Sequence, residues 1–354
     1  MKRKLGNDMS GGLLQYSGLV TKTKAMRGRL LSRELLLRLA EYGSVEEFIS
    51  FLWECDGCAS IYQSHKEIAH RAEVEAVIND SLYADYDRLY RFAGGEQRKA
   101  LEIQFFRYEV NVLKEHLERV FREENAGQSE HQHIWLSRHT GYDMNALRTA
   151  GSIEDILQTV AGTRYEKPVR RIAEQGEQDS FHIAMQLDIY YYMTAWKMCS
   201  RFSDEKQSRI MKAFLGTEID WQNIMWMYRF KCYFDQKISD IYANLIPVCW
   251  RLKKSEFRRL LETESLAEFV EILGKTAYFT EKDAVVRMGD EITFRRVMEK
   301  TYRQMCRKYP MSIAPVLHYL YEKEQEIETL TTILEGVRYQ IPAREIQELV
   351  IETQ

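Results

Sequence analysis

Proline and cysteine are scarce in this sequence, with five and six occurrences among 354 residues. Few prolines leave long segments free of the residue that most strongly breaks helices. The cysteines, at positions 55, 58, 199, 232, 249 and 306, lie mostly in apolar helical sequence. That distribution is unlike the dense cysteine framework of a small secreted domain. We therefore expect reduced, buried thiols. The segment from Gly11 to Val20 is a poor secretory core, so we also expect a cytosolic protein.

Neither a charge excess nor a long apolar run is present. Lysine plus arginine number 50 against 53 acidic residues, a net charge of −3, whereas a dedicated nucleic-acid binder carries a basic excess. No stretch approaches the roughly 18 apolar residues that a membrane-spanning helix needs. The aromatic run from Ile189 to Met193 is short and bounded by charged residues. The sequence predicts a protein that binds no nucleic acid and does not cross a bilayer by itself.

Signatures of nucleotide and metal chemistry are missing as well. No Gly-x-x-x-x-Gly-Lys-Ser/Thr loop occurs, and Gly94-Gly95-Glu96 lacks the lysine that would reach a phosphate. His131, His133 and His139 lie together, but their spacing matches no zinc signature, and we interpret this stretch as a solvated linker. We therefore predict that this chain neither hydrolyses nucleotides nor holds a metal.

Cys55 and Cys58 form a Cys-x-x-Cys pair, which is the one enzymatic alternative. Such a pair permits a disulfide and a lowered thiol pKa where it begins a helix. The preceding strand of a thioredoxin motif is missing, and Asp56-Gly57 between the cysteines is a turn sequence. A thiol oxidoreductase is therefore a minor alternative.

Apolar residues recur at spacings of three and four over long segments, which is typical of amphipathic helices. Between residues 99 and 122 one stripe comprises Ile103, Phe106, Val110, Leu113, Leu117 and Val120. Near the C-terminus a second stripe comprises Val316, Leu320, Ile327, Leu330, Leu334 and Val337, before Pro342 begins a last short helix. Strand patterns are nearly absent, so we predict an all-α protein.

Two short elements recur about every 110 residues. In the first, a serine is followed three residues later by an acid, starting at Ser44, Ser152 and Ser265. Such a serine and acid cap a helix N-terminus by accepting backbone N–H groups. The second element contains the positions Asn111, Asn223 and Thr329. The shared period predicts three similar helical units, 1–125, 126–243 and 244–354, in a pseudo-threefold arrangement.

Three sequence blocks stand in a characteristic order along the chain. They are Lys24-Ala-Met-Arg-Gly-Arg-Leu-Leu31; Glu218-Ile-Asp-Trp-Gln-Asn-Ile224 with Arg229-Phe-Lys231; and Tyr319-Leu-Tyr-Glu-Lys-Glu-Gln-Glu-Ile327 with Ile333-Leu-Glu-Gly-Val-Arg338 and Ile341-Pro-Ala-Arg-Glu-Ile346. Through them nearly the whole chain resembles the C (AC39-like) subunits of V-type and archaeal-type ATPases, a family known in eukaryotes as the d subunits. Thr329 and Thr331 depart from the asparagine and basic residue usual in that family.

This resemblance implies a funnel of three similar helical bundles with a mechanical function. A member of that family is a non-catalytic central-stalk adaptor, coupling the rotor shaft to the membrane rotor ring for ATP-linked proton or sodium transport. Its implied partners are the central-shaft subunits and the ring, and its implied place is peripheral, on the cytoplasmic face of the membrane. The resemblance also implies a non-enzyme without catalytic residues, cofactor or direct small-molecule substrate. A free helical scaffold that binds some other protein is the alternative.

Two groups of residues are candidates for specific contacts. Lys22, Lys24, Arg27 and Arg29 form an early basic cluster that suits an acidic partner, an anionic lipid surface or a solvated helix face. Candidate structural polar residues are Asp220, Asn223, Arg229 and Glu326. We expect Thr217 and Asp220 to cap the start of a helix, and Asn223 to bond to a neighbouring bundle.

Overall fold

The structure is a computed structural model that describes residues 2–54, 71–122, 137–175, 180–233, 241–242, 244–279 and 291–352. Within these ranges every regular element is a helix and no strand occurs, which confirms the all-α prediction. Among the described helices, none combines the length and the apolar composition that a membrane span requires.

Long and short helices alternate along the chain. Their bounds are α1 Lys2–Arg27, α2 Arg33–Leu39, α3 Val45–Glu54, α4 Arg71–Phe92, α5 Gly95–Phe121, α6 Met144–Thr149, α7 Ile153–Thr159, α8 Glu166–Glu174, α9 Ser180–Cys199, α10 Glu205–Tyr233, α11 Lys254–Glu262, α12 Leu266–Gly274, α13 Glu291–Lys308, α14 Ala314–Arg338 and α15 Ala343–Glu352. Helix α5 confirms the long helix expected over 99–122. Helices α14 and α15 confirm the two expected on either side of Pro342.

Helices α3, α7 and α12 begin with the same serine cap. The Oγ atoms of Ser44, Ser152 and Ser265 accept the backbone N–H three residues later, at 3.2, 3.1 and 3.2 Å. In each case the carboxylate of that later residue accepts the N–H of the residue before the serine, at 3.0, 3.1 and 3.3 Å. The three predicted caps are therefore confirmed.

Contacts divide the chain into two compact units. Unit 1 comprises Met1–Phe105, Arg122–Glu166 and Tyr309–Gln354, and unit 2 comprises Phe106–Phe121 and Lys167–Lys308. The two ends of the chain thus belong to the same unit, while most of unit 2 comes from the middle. The division into three repeat units at residues 125 and 243 stays a prediction.

Helix α14 lies at the centre of unit 1, where it packs against α1, α2, α3, α4 and α15. It is buried on all sides along most of its length, as expected of a helix surrounded by others. Its contact with α15 is close at Gly336, where an added Cβ would lie 2.7 Å from the side chain of Ile346. A larger residue there would force the Ile346 side chain, or α15 with it, to shift.

Helix α10 has the corresponding position in unit 2, where it packs against α9, α12 and α13. The ring of Phe214 lies 4.3 Å from that of Tyr302, and the ring of Trp221 lies 5.8 Å from that of Phe294, between centroids. Each unit is therefore built around one long buried helix. Polar side chains on these two helices must find partners inside the protein.

Candidate functional site

Asp220 lies in the middle of α10, where its carboxylate holds the chain segment that precedes α11. Its Oδ1 accepts the N–H of Trp250 at 2.9 Å, and its Oδ2 accepts the N–H groups of Arg251 and Leu252 at 2.7 and 2.9 Å. The hydroxyl of Tyr278 donates to the same Oδ2 at 2.5 Å. Burial raises the pKa of Asp220 above its ordinary value, and the four hydrogen bonds to the charged form oppose that rise.

Asn223 lies on α10 three residues after Asp220, and it clamps one backbone unit of the same segment. Its Nδ2 donates to the carbonyl of Ile246 at 2.9 Å, and its Oδ1 accepts the N–H of Ile246 at 2.8 Å. Asn223 is fully buried, so both bonds are shielded from water. We call Asp220 and Asn223, with the residues 246–252 that they hold, the α10 clamp.

The expectation that Thr217 and Asp220 cap a helix start is wrong, because α10 begins at Glu205. Thr217 instead donates to the carbonyl of Ala213 within the helix, at 2.7 Å. Sequence alone does not distinguish an aspartate in a helix interior from one at an N-cap, because the hydrogen-bond partners of Asp220 are far away in the sequence. Asn223 bonds to Ile246, which lies in the third predicted repeat unit (244–354). In the structure, however, both residues belong to unit 2.

Arg229 and Lys231 are close in sequence but differ in surroundings. Arg229 is exposed and forms no ion pair with any residue that the structure describes. The Nζ of Lys231 donates to the carbonyls of Leu261 and Thr263, at 2.9 and 2.6 Å, and so satisfies carbonyls at the C-terminal end of α11. Burial lowers the pKa of Lys231. Sequence reasoning missed this role, although Lys231 lies on the same helical face as Asp220.

In unit 1, Glu326 of α14 forms a buried ion pair with Lys323 one turn earlier. Its Oε1 also accepts the N–H of Leu31, at 2.6 Å, just beyond the end of α1. Removing one partner of a buried pair leaves an uncompensated charge in the interior. Glu326 therefore ties the end of α1 to α14.

Tyr319 provides a second polar tie in unit 1, which sequence reasoning also missed. Its hydroxyl donates to the carboxylate of Asp85 on α4. Asp85 is paired in addition with Arg88, at 3.0 Å. Burial raises the pKa of the Tyr319 hydroxyl, and the neighbouring Asp85 charge adds to that effect.

The basic cluster of Lys22, Lys24, Arg27 and Arg29 lies at the C-terminal end of α1 and directly after it. Lys24, Arg27 and Arg29 are exposed and Lys22 is half-buried. Arg27 pairs with Glu322 of α14, whereas the other three form no ion pair with a described residue. Cations at this end of a helix are favoured by its dipole. A partner contact by this cluster stays a prediction.

The interpretation of His139 as part of a solvated linker is wrong. Its Nε2 lies 3.0 Å from Oδ1 of the buried Asp87. The imidazole packs edge-on against Tyr86, Tyr90 and Phe105, with ring centroids 5.5, 4.9 and 5.5 Å away. The aromatic residues around His139 are 34 to 53 positions away in the sequence. The polar residues next to His139 in the sequence therefore gave no indication of this apolar pocket. The expectations for Cys55, Cys58, His131 and His133 concern positions outside the described residues.

Comparison with known proteins gives one consistent result over nearly the whole chain. Residues 19–349 match the family described as ATP synthase (C/AC39) subunit. The C subunit of the A-type ATP synthase of Archaeoglobus fulgidus is 25% identical, over 96% of this chain and 97% of the relative. The proteins of the same name from Pyrococcus furiosus, 27% identical over 95% and 90%, and Methanosphaera stadtmanae, 24% over 93% and 86%, are also similar. The predicted resemblance is thereby confirmed, and the chain belongs to the ATP synthase (C/AC39) subunit family.

Proposed function

We propose that this chain is the non-catalytic central-stalk adaptor of a V-type or archaeal-type rotary ATPase. In this role it joins the rotor shaft to the membrane rotor ring and takes part in ATP-linked proton or sodium transport. The observation that carries the proposal is the family match over residues 19–349. The chain acts peripherally, on the cytoplasmic face, through its contact with the ring. ATP chemistry belongs to other subunits.

The internal construction of each unit supports a mechanical role. A part that transmits torque must resist shear between its elements, and buried hydrogen bonds to charged groups are strong and directional. In unit 2 the α10 clamp fixes the segment before α11, and Lys231 fixes the end of α11. In unit 1 Glu326 fixes the end of α1. These ties restrict sliding of neighbouring segments along the two central helices.

Two further observations support finer parts of the proposal. The matching caps at Ser44, Ser152 and Ser265 favour three similar repeat units, as a funnel of three bundles requires. The exposed Lys24 and Arg29 favour a contact with an acidic partner surface.

Co-purification from the native membrane tests this function. A tagged copy of the chain, solubilised with mild detergent, should bring down shaft and ring proteins in stoichiometric amounts. Recovery of the chain without any other part of a rotary ATPase would contradict the proposal and favour a free scaffold.

Reconstitution separates coupling from catalysis. Membranes that lack the chain should not pump ions, although the detached soluble sector should still hydrolyse ATP. Adding the purified chain should restore ion pumping driven by ATP. Pumping that is unaffected by removal of the chain, or ATP hydrolysis by the isolated chain, would contradict the adaptor role.

A further inference from the structure

Helix α13 has a row of cations on its exposed face. Arg296, Lys300, Arg303 and Arg307 are all exposed and follow one another at spacings of 4, 3 and 4 residues. These spacings place the four residues within about 60° around the helix axis, in a line about 16 Å long. We call these four residues the α13 basic row.

The charges of the α13 basic row are poorly compensated among the described residues. Arg303 pairs with Glu299 one turn away. Arg296, Lys300 and Arg307 form no ion pair with any described residue. Exposed cations of other helices pair with an acid one turn away, as do Arg209 with Glu205, Lys275 with Glu271 and Arg344 with Glu348.

A solvated helix face does not explain this row well. Like charges three or four residues apart on a helix repel one another and destabilise it. The helix dipole accounts for Arg307 in the last turn, but it does not reach Arg296 and Lys300. An anionic partner would relieve the repulsion along the whole row.

We infer that the exposed face of α13 is a docking surface for an acidic helix of a partner protein. Acidic side chains at the same spacing on a facing helix would meet each cation of the row in turn. An anionic membrane fits less well, because a helix at a lipid surface inserts its apolar face. The apolar face of α13, which includes Met298 and Tyr302, is buried in unit 2. This inference does not depend on the rotary function proposed above.

Binding of a designed peptide to the full chain tests the inference. The probe is a fluorescent helical peptide with four glutamates at spacings of 4, 3 and 4, and its counterpart has the same composition with the glutamates spread around the helix. The spaced peptide should bind more tightly at moderate salt. The double variant Arg296→Glu with Lys300→Glu should bind the spaced peptide with an affinity lower by about tenfold or more, because two attractions become repulsions.

The matched control is Lys167→Glu with Arg171→Glu on α8. These two cations are also exposed, belong to unit 2 and lie four residues apart, so the variant changes the net charge equally. The control should leave the peptide affinity unchanged. Equal binding of both peptides, or equal loss in the two variants, would show unspecific charge attraction and overturn the inference.

Two further measurements distinguish the remaining explanations. Arg296→Gln with Lys300→Gln should weaken peptide binding while leaving Tm unchanged or raising it by about 1–2 °C, since repulsion is removed. A lower Tm would assign the row a structural role and overturn the inference. Sedimentation with phosphatidylserine vesicles that depends on the row, without binding of the spaced peptide, would assign the face to a membrane instead.

Discussion

At the scale of single residues, the α10 clamp shows how a long helix can hold a segment that has little regular structure of its own. The side chains of Asp220 and Asn223 form hydrogen bonds with backbone groups of four residues in this segment, namely Ile246, Trp250, Arg251 and Leu252. A buried backbone group without a partner is costly, so this segment depends on the two side chains. The clamp is therefore the place where a single substitution should have a large effect.

Asn223→Ala should lower the free energy of unfolding by about 2–4 kcal/mol, because the N–H and carbonyl of Ile246 lose their buried partners. Asn111 is the matched control, since it occupies the corresponding position of the predicted repeat but is exposed. Asn111→Ala should change stability by less than about 0.5 kcal/mol. Chemical unfolding of both variants checks the difference, and equally small effects would refute a structural role for Asn223.

Tyr278→Phe should weaken the dependence of stability on alkaline pH. Burial raises the pKa of the Tyr278 hydroxyl, and the nearby Asp220 carboxylate raises it further. A raised folded pKa contributes stability below the ordinary tyrosine pKa of about 10, and that contribution is lost as pH rises toward the folded value. Wild-type Tm should therefore fall above about pH 10, and the variant should fall less steeply.

The control for this experiment is Tyr242→Phe, because Tyr242 is 62% exposed. Its Tm should follow the wild-type pH dependence. If the Tm of Tyr278→Phe also fell as steeply as that of the wild type at alkaline pH, ionisation of the Tyr278 hydroxyl would make no contribution to the pH dependence of stability.

At the scale of elements, local sequence was a good guide wherever the stabilising contacts are local. The stripe on α5 and the serine caps of α3, α7 and α12 were predictable, because helix periodicity and capping involve residues only a few positions apart. The start of α10 was mispredicted because the partners of Asp220 lie 30 to 58 residues away. The role of Lys231 was missed for the same reason, since its acceptors follow 30 and 32 residues later.

Ser152→Ala should destabilise the start of α7 by about 1 kcal/mol, because an N-cap acceptor is lost. Hydrogen exchange at the amide of Asp155 should then be faster, with the corresponding effects at Glu47 in Ser44→Ala and at Glu268 in Ser265→Ala. Ser50→Ala is the control, since Ser50 is exposed within α3 and caps no helix start. Unchanged exchange at all three capped amides would mean that the caps contribute nothing.

At the scale of the whole molecule, the proposed function depends on surfaces that contact other proteins. Lys24→Glu with Arg29→Glu should weaken binding to the shaft or ring without unfolding the protein. Neither side chain forms an ion pair with a described residue, so the variant loses only a helix-dipole contribution of about 1 kcal/mol or less. Higher salt should reduce the difference between variant and wild type, since exposed charges are screened. A pull-down at moderate salt measures this, and unchanged affinity would remove the cluster from the interface.

Arg27 needs a separate variant because it pairs with Glu322. Arg27→Glu alone changes both the surface charge and that contact. Combining it with Glu322→Arg restores an opposite-charge pair in reverse order, so a binding defect that persists in the double variant would be a property of the surface.

The sequence alone determined that the protein is helical, where three of its helices begin and which family it resembles. These properties follow from residue spacings within single helices and from the order of short blocks along the chain. Only the tertiary structure decided which groups Asp220, Asn223 and Glu326 hold, and that both chain ends belong to one unit. The bond from Leu31 to Glu326 joins residues 295 positions apart. Such a contact depends on how helices pack in space, which no local pattern specifies.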